Sequence, residues 1–232
     1  MAADRRVAAI AGVLVIVGMV AGVLSVVPVL EEPDYLALVS ANESQLVSGA
    51  IFQFVMIPAC AGFALCLYPV LRRENEALGL GFVGFRLIAV AFHFVGVILL
   101  PLFLVLGQEF ARVGVSGASH IEGLGELLRT ARDLVNHVAL IVSLSLGDLL
   151  LFGVLYRSRL VPRWLSAWGL LGAGSAGLAS FLVLVGLTEV VTPLYLAMNV
   201  PSALQSVVLA LWLIVRGFAA RTSRAAGATG AW

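Results

Sequence analysis

The stretch FVGFRLIAVAFHFVGVILLP, residues 82–101, is an apolar run long enough to cross a bilayer, yet it contains Arg86 and, about two helical turns later, His93. An ionised guanidinium at the centre of a membrane costs at least about 2.5–3.5 kcal/mol, so Arg86 must face protein, water or an opposite charge. The spacing puts Arg86 and His93 on one face of a helix, about 10 Å apart along its axis. The sequence therefore predicts a helical membrane protein in which other helices supply a partner for this face.

The composition of the whole chain agrees with that class of protein. Of its 232 residues, 61% are hydrophobic and 12% are charged, whereas soluble domains average about 45–50% apolar and about 25% charged residues. The formal net charge is only +1, and no basic face of the kind that binds nucleic acid is present. We predict an all-α polytopic membrane protein that contacts membrane lipids and does not bind nucleic acid.

Six apolar runs are long enough to span a membrane, and they cover residues about 7–30, 46–71, 78–106, 134–155, 165–187 and 191–215. They predict one domain over residues 1–218, a bundle of six transmembrane helices, followed by a flexible cytoplasmic tail over residues 219–232. The segment 107–133 is the longest polar connection. Its second half has the spacing of an amphipathic helix, which we expect outside the membrane before span 4 and running into it.

The distribution of arginine predicts the orientation of the bundle. The N-terminal segment, the connections after spans 2 and 4, and the C-terminal segment contain arginine, whereas the connections after spans 1 and 5 contain none. The connection after span 3 also contains three arginines, but it is longer and acidic residues are mixed in, so we expect it on the external side. Because arginine-rich connections remain in the cytoplasm, both termini should be cytoplasmic. Small residues recur at helical spacing in spans 1 and 5, including Gly18 and Gly22, and such faces could join copies of the chain into a homo-oligomer.

Five side chains within or beside the spans are predicted to form a polar core: Arg86, Asp148, His93, His137 and Asp133. At 1.5 Å per residue, Arg86 lies about 12 Å and Asp148 about 10 Å from the same end of their spans. Equal depth permits a buried ion pair between spans 3 and 4. We favour a structural role for this pair, which would fix helix register, over a proton or anion site.

The two histidines and Asp133 suggest two kinds of bound group that we do not favour. His93 and His137 could be axial haem ligands, but they differ by about 5 Å in depth and haem needs level ligands, so no cofactor is predicted. Asp133 and His137 are four residues apart, a spacing that can share a metal. Glu126 and Arg129 lie on the same face and can equally form a salt-bridged helix surface, so no metal is predicted either.

The amides of Gln53, Asn199 and Gln205 also fall within apolar spans. Hydrogen bonds between helices would explain them. Alternatively, Asn199 and the nearby Pro201 could mark a helix break beside a ligand cavity. We therefore treat these three amides as candidate lining of such a cavity.

Three segments of the chain resemble a known family. They are Leu67-Tyr68 running to Phe85-Arg86-Leu87; Tyr156-Arg157-Ser158 with Pro162-Arg163-Trp164-Leu165; and Leu211-Trp212-Leu213 with Arg216-Gly217. In order and spacing they resemble a bacterial multi-pass membrane family catalogued as domain of unknown function 4386. The resemblance implies a protein of the bacterial inner (plasma) membrane with no established activity, and hence no catalytic residue. This chain departs from the family pattern at Gln205, where a glutamate is expected, and near Gly62 and Ala89, where acidic residues are expected.

The function predicted from these features is a multi-pass membrane protein whose buried polar core binds a small or lipid-like ligand. One alternative is an intramembrane enzyme on an isoprenoid or lipid substrate, with Asp148, Asp133 or His93 as acid or base. Paired acids facing one apolar cavity would favour it. The other alternative is a small transporter or channel, which needs a water-filled path from Arg86 and Asp148 to the outer polar residues. The sequence contains no phosphate-binding loop, Ser–His–Asp order or metalloprotease motif that would assign catalysis.

Overall fold

A computed structural model describes residues 2–219, except the side chains of residues 2–3 and 114–117. Within these limits the chain is helical without any strand, and six helices are long and apolar enough to cross a membrane. The prediction of an all-α protein with six spans is confirmed. The predicted tail lies, from residue 220 onward, outside the described residues.

The six long helices are named in chain order. They are α1 (Ala2–Leu24), α2 (Glu43–Leu71), α3 (Glu76–Val113), α4 (Ala118–Ser158), α5 (Arg163–Leu184) and α6 (Pro193–Val215). The labels α3 and α4 denote two spans, because helix is assigned without interruption over Glu76–Asp133 and continues through Leu134–Ala139 to Ser158. The connection between α1 and α2 contains a single α-helical turn, Tyr35–Leu38, and two 3₁₀ turns, Pro28–Glu31 and Val39–Asn42.

The segment 107–133 differs from its predicted structure in one respect. Helix is assigned over the whole segment, including its first half, where the sequence suggested a loop. Its second half is helical, as predicted, and runs directly into the membrane-spanning part of α4. Glu109 and Arg112 gave this segment its loop-like polarity, but they pair one helical turn apart, with 2.8 Å between Arg112 Nη2 and Glu109 Oε1. Such pairs stabilise an exposed helix face, so polarity here does not end the helix.

The six helices form a closed ring. Each helix packs against its neighbours in sequence, and α1 packs against α6. Adjacent helices run antiparallel, as α3 and α4 show, since Arg86 meets Asp148 while Gly96 faces Asn136. The start of α1 meets the end of α6, where Arg5 Nη2 donates to the Val215 carbonyl at 2.7 Å. We call this end of the bundle the terminal end, and the opposite end the distal end.

Two apolar clusters form the core, one toward each end of the ring. The terminal cluster takes residues from every helix, among them Ala8, Phe63, Phe82, Leu155, Leu165 and Leu213. The distal cluster takes residues from the α1–α2 connection, α2, α3 and α4, among them Leu30, Leu46, Leu100, Phe103 and Ile121. Between the two clusters lies the middle of the bundle, where the polar side chains are found.

The small-residue faces of α1 and α5 are packed within the chain. A Cβ placed on Gly18 would contact Ala59 of α2 at 3.6 Å, and one placed on Gly169 would lie 2.5 Å from Cγ of the Phe152 ring of α4. These glycines let neighbouring helices approach closely. The homo-oligomer through the small-residue faces of spans 1 and 5 stays a prediction.

Candidate functional site

A cavity of about 360 Å³ lies between the two apolar clusters and is lined by residues from all six helices. Most of the lining side chains are apolar, such as those of Leu14, Met19 and Met56, whereas Arg86, Asp148, His93 and Asn199 add charge and hydrogen-bonding groups. Ligand sites in proteins commonly have volumes of about 300–1,000 Å³ and an apolar lining with a few polar groups. The cavity has the size and composition of a small-molecule site.

The ion pair expected from equal depth is present in the structure. Arg86 Nη2 donates to Asp148 Oδ1, and the side chains are only 14% and 16% exposed. The Arg86 Cζ atom also lies 5.0 Å from the centroid of the Phe63 ring and 5.5 Å from that of Phe82. A carboxylate and two aromatic faces thus hold the guanidinium inside the ring of helices, where it avoids the hydrocarbon.

Two polar atoms of the cavity-lining residues have no hydrogen-bond partner among residues 2–219. They are Nε of Arg86 and Nδ1 of His93, and both are buried. His93 as a whole is only 3% exposed. Buried polar atoms in proteins are nearly always bonded to protein, water or ligand. The described residues therefore leave the hydrogen-bonding capacity of these two nitrogen atoms unused.

The three amides predicted to line a cavity have different environments. Asn199 lines it. Gln53 and Gln205 are absent from the lining and instead join helices. The Gln53 Nε2 atom donates to Oδ1 of Asn136 at 3.1 Å, and Gln205 Nε2 donates to the Leu165 carbonyl at 3.3 Å. Interhelical hydrogen bonding, the other explanation of these side chains, accounts for both glutamines.

The Gln53–Asn136 hydrogen bond depends on a glycine of α3. A Cβ on Gly96 would lie 2.5 Å from Gln53 Nε2 and 2.6 Å from Asn136 Oδ1. Any side chain at this position would displace both amides. Gly96 thus allows helices α2 and α4 to be joined across the face of α3.

The remaining two members of the predicted polar core, His137 and Asp133, lie nearer the distal end and outside the cavity lining. The His137 Nδ1 atom is 3.1 Å from the hydroxyl of Tyr195, and the two rings meet edge to face. Asp133 Oδ1 lies 4.0 Å from Arg132 Nη1. The predicted polar core is therefore divided, with Arg86, Asp148 and His93 at the cavity and the other two residues beyond it.

His137 belongs to a π-helical segment, Leu134–Ala139, within α4. The wider turn changes which backbone groups are paired, and two serine hydroxyls bond carbonyls of this segment. Ser180 Oγ of α5 donates to the His137 carbonyl at 2.7 Å, and Ser143 Oγ donates to that of Ala139 at 2.8 Å. Segments of this kind are frequent at functional sites.

The polar groups that sequence reasoning missed are Asn136, Tyr195 and the π turn itself. Each takes part in a contact between helices that are distant in sequence, so no local spacing could reveal it. Pairing Tyr195 with His137 requires knowing that α4 and α6 both reach the interior of the ring at one level. The sequence shows only that both helices are apolar, and this does not reveal the level at which their side chains meet.

Most of the chain matches one known protein family. The model of a family described as Domain of unknown function (DUF4386) matches residues 10–217. The chain belongs to this family. The match runs from α1 to the residue after Arg216, so it takes in the ring of six helices and the cavity that they enclose. No curated protein and no solved structure matches the chain. Since the DUF4386 description names no activity, the function has to be argued from the cavity.

Proposed function

We propose that this DUF4386 protein binds an apolar or lipid-like small molecule in its central cavity, within the membrane. The observation that carries the proposal is a largely apolar cavity whose lining includes Arg86 and His93, two residues that each have a buried nitrogen atom, Arg86 Nε and His93 Nδ1, without a partner among the described residues. A ligand with an apolar body and an oxygen that accepts a hydrogen bond from Arg86 Nε would match both features. It would bury apolar surface and satisfy an otherwise costly polar atom.

The charge of the cavity favours an uncharged ligand. Arg86 and Asp148 already neutralise each other. An anionic ligand would compete with Asp148 for the guanidinium, and a cationic one would compete with Arg86 for the carboxylate. Either exchange would leave a buried charge without its partner, which costs several kcal/mol, on the order of 3–5.

The position of the cavity also favours a ligand that dissolves in the bilayer. At the terminal end the apolar cluster includes residues of all six helices, whereas the distal cluster takes residues only from the α1–α2 connection and α2–α4. A ligand would enter from the distal half or sideways from the membrane, not through the terminal end. A lipid-like molecule is already concentrated in the bilayer that surrounds the helices.

Catalysis and transport are less well supported by the same residues. An intramembrane hydrolase or transferase would be favoured by paired acids at one cavity, but Asp148 is the one acidic residue of the lining in the described part of the chain, and it pairs with Arg86. A transporter needs a polar path to the distal residues. The lining of the cavity includes neither His137 nor Asp133, and the former is held by Tyr195. Binding therefore remains the proposal.

We also propose that the protein lies in a bacterial plasma membrane with both termini in the cytoplasm. The arginine-containing connections α2–α3 and α4–α5 lie at the terminal end, together with both ends of the helical domain, and arginine is enriched on the cytoplasmic side of membrane proteins. A fluorescent protein that becomes fluorescent only in the cytoplasm, fused after residue 232, should give a bright signal. A dark fusion present at full abundance would reverse the orientation.

The binding proposal can be tested by narrowing the cavity. Ala203 lines it, whereas its neighbour Leu204 is 54% exposed on the outside of α6. We expect the wild-type protein and Leu204→Phe, purified in mild detergent, to retain the same small apolar molecule in extracts examined by mass spectrometry. Ala203→Phe should lose it. Equal retention by both variants, or retention of nothing by the wild-type protein even after incubation with a cell lipid extract, would refute the proposal.

A further inference from the structure

A second concavity, a surface cleft of about 480 Å³, lies at the terminal end of the bundle. One wall is the connection between α4 and α5, which supplies Arg159 and Arg163. The other is the end of α6 and the residues after it, which supply Trp212 and Arg216. Among residues 2–219, none of those that line this cleft is acidic. It is separate from the central cavity and has the opposite character, since positive charge dominates it.

Backbone contacts hold the two walls together. Gly217 has φ +71°, a left-handed conformation that turns the chain back after α6. The Ala219 N–H then donates to the Leu160 carbonyl at 2.8 Å, and the Phe218 side chain packs against the terminal cluster. Arg159 also has a left-handed backbone, φ 57°, where it ends α4. The cleft is thus fixed by the fold of both segments.

The three arginines of the cleft form no ion pair with any carboxylate in the part of the chain that the structure describes. The Arg163 Cζ atom lies 5.4 Å from the centroid of the Tyr156 ring. A fourth cation is close by, because Arg5 Nη2 donates to the carbonyl of Val215 at 2.7 Å. Such concentrated charge without a counter-charge favours an anionic ligand.

The surroundings of the cleft indicate where that anion comes from. Trp212 and Tyr156 lie beside arginines at the ends of apolar helices, the arrangement that marks the headgroup level of a membrane. Next to Trp212, Leu211 and Val215 are 51% and 61% exposed, so α6 presents apolar surface beside the cationic cleft. A molecule with a negative headgroup and acyl chains would contact both.

We propose that this cleft binds the phosphate of an anionic phospholipid. Guanidinium groups match phosphate oxygens with paired hydrogen bonds, and basic pockets between membrane helices bind anionic headgroups. Arg159, Arg163 and Arg216 would surround the phosphate. Trp212 would lie along the glycerol region, with the acyl chains against α6. The site does not depend on the central cavity.

Titration of the purified protein with phosphatidylglycerol or phosphatidylcholine, followed by native mass spectrometry, tests the proposal. The test variant is Arg163→Gln with Arg216→Gln. The control is Arg72→Gln with Arg157→Gln, which removes two exposed arginines from the same end but outside the cleft. We expect phosphatidylglycerol to bind the wild-type protein and the control more tightly than phosphatidylcholine does. The test variant should bind it about tenfold more weakly or worse.

Three results would overturn the proposal: equal binding of the two lipids, an unchanged test variant, or an equal loss in the control. A competition arm separates the two sources of phosphate, because displacement of the lipid by millimolar inorganic phosphate would identify a site for the free anion instead. If the double variant does not fold, Arg159→Gln alone is titrated in its place. That variant should weaken phosphatidylglycerol binding, and unchanged binding would count against the cleft.

Discussion

Replacing Arg86 with leucine tests whether the buried ion pair holds the ring of helices together. Removing the guanidinium leaves the Asp148 carboxylate, which is only 16% exposed, without its partner. Breaking a buried pair in this way costs about 3–5 kcal/mol. The contacts of Arg86 with the Phe63 and Phe82 rings add up to about 2 kcal/mol.

The reverse substitution and the double substitution complete the cycle. Asp148→Leu should cost somewhat less than Arg86→Leu, because the two aromatic rings still face the cation. Replacing both residues by leucine removes both charges, which is often nearly neutral. We expect the double variant to be more stable than the sum of the single effects predicts, with a coupling energy of at least about 3 kcal/mol. For a protein of this size, Asp148→Leu should lower Tm by about 6–20 °C and Arg86→Leu by up to about 28 °C.

Two cysteines provide the assay. Cys60 and Cys66 are free and partly buried, and Cys60 Sγ lies 3.9 Å from the Arg86 carbonyl. A fluorogenic thiol reagent should therefore report unfolding when the protein is heated in detergent. Arg112→Leu, which breaks an exposed pair near the distal end, serves as a control and should leave Tm nearly unchanged. If the double variant is as unstable as the two single effects added together, Arg86 and Asp148 are not coupled and the reasoning fails.

Two further predictions concern helix packing. Gln53→Leu should lower the free energy of unfolding by about 0.6–1.7 kcal/mol, because it removes the hydrogen bond to Asn136 and such interhelical bonds usually contribute this much in membranes. An unchanged Tm of the variant would contradict this prediction. Gly169→Ala should destabilise the protein by about 1–3 kcal/mol, because the new Cβ would lie 2.5 Å from the Phe152 ring. The control is Gly174→Ala on the same helix, whose Cβ would meet nothing within 4 Å and which should be neutral or stabilising. Equal shifts in Tm for the two variants would show that the contact between Gly169 and Phe152 can relax.

The ion pair could be anticipated because a membrane makes depth informative. In a span of known ends, the residue number gives the level of a side chain to within about a turn. Arg86 needed a counter-charge, and Asp148 was an acid at the same level on a neighbouring span. The number of spans also follows from the thickness of the membrane, since an apolar run of about 20 residues or more usually forms a transmembrane helix.

The other interior contacts could not be found in this way. Depth gives the level of a residue in the membrane but not the direction of its side chain around the helix axis. That direction decides which two amides form a hydrogen bond. Gln53 could have faced the cavity or any neighbouring helix, and the structure directs it to Asn136. The π turn rotates the residues of α4 around His137, which a regular helical period does not anticipate. The same limit applies to the cleft, whose second wall depends on the turn at Gly217.

The central cavity and the close packing of the helices have a common origin in small side chains. Gly18 of α1, Ala59 of α2 and Ala176 of α5 line the cavity at the level between the two apolar clusters. Toward the terminal end, larger residues such as Phe82, Leu155 and Leu213 pack together in the interior of the ring. Small residues in the middle let the helices approach, yet they leave a space that no side chain of the ring fills. Because the buried ion pair lies at that same level, the space acquires polar groups, and the proposed ligand site rests on this coincidence of volume with charge.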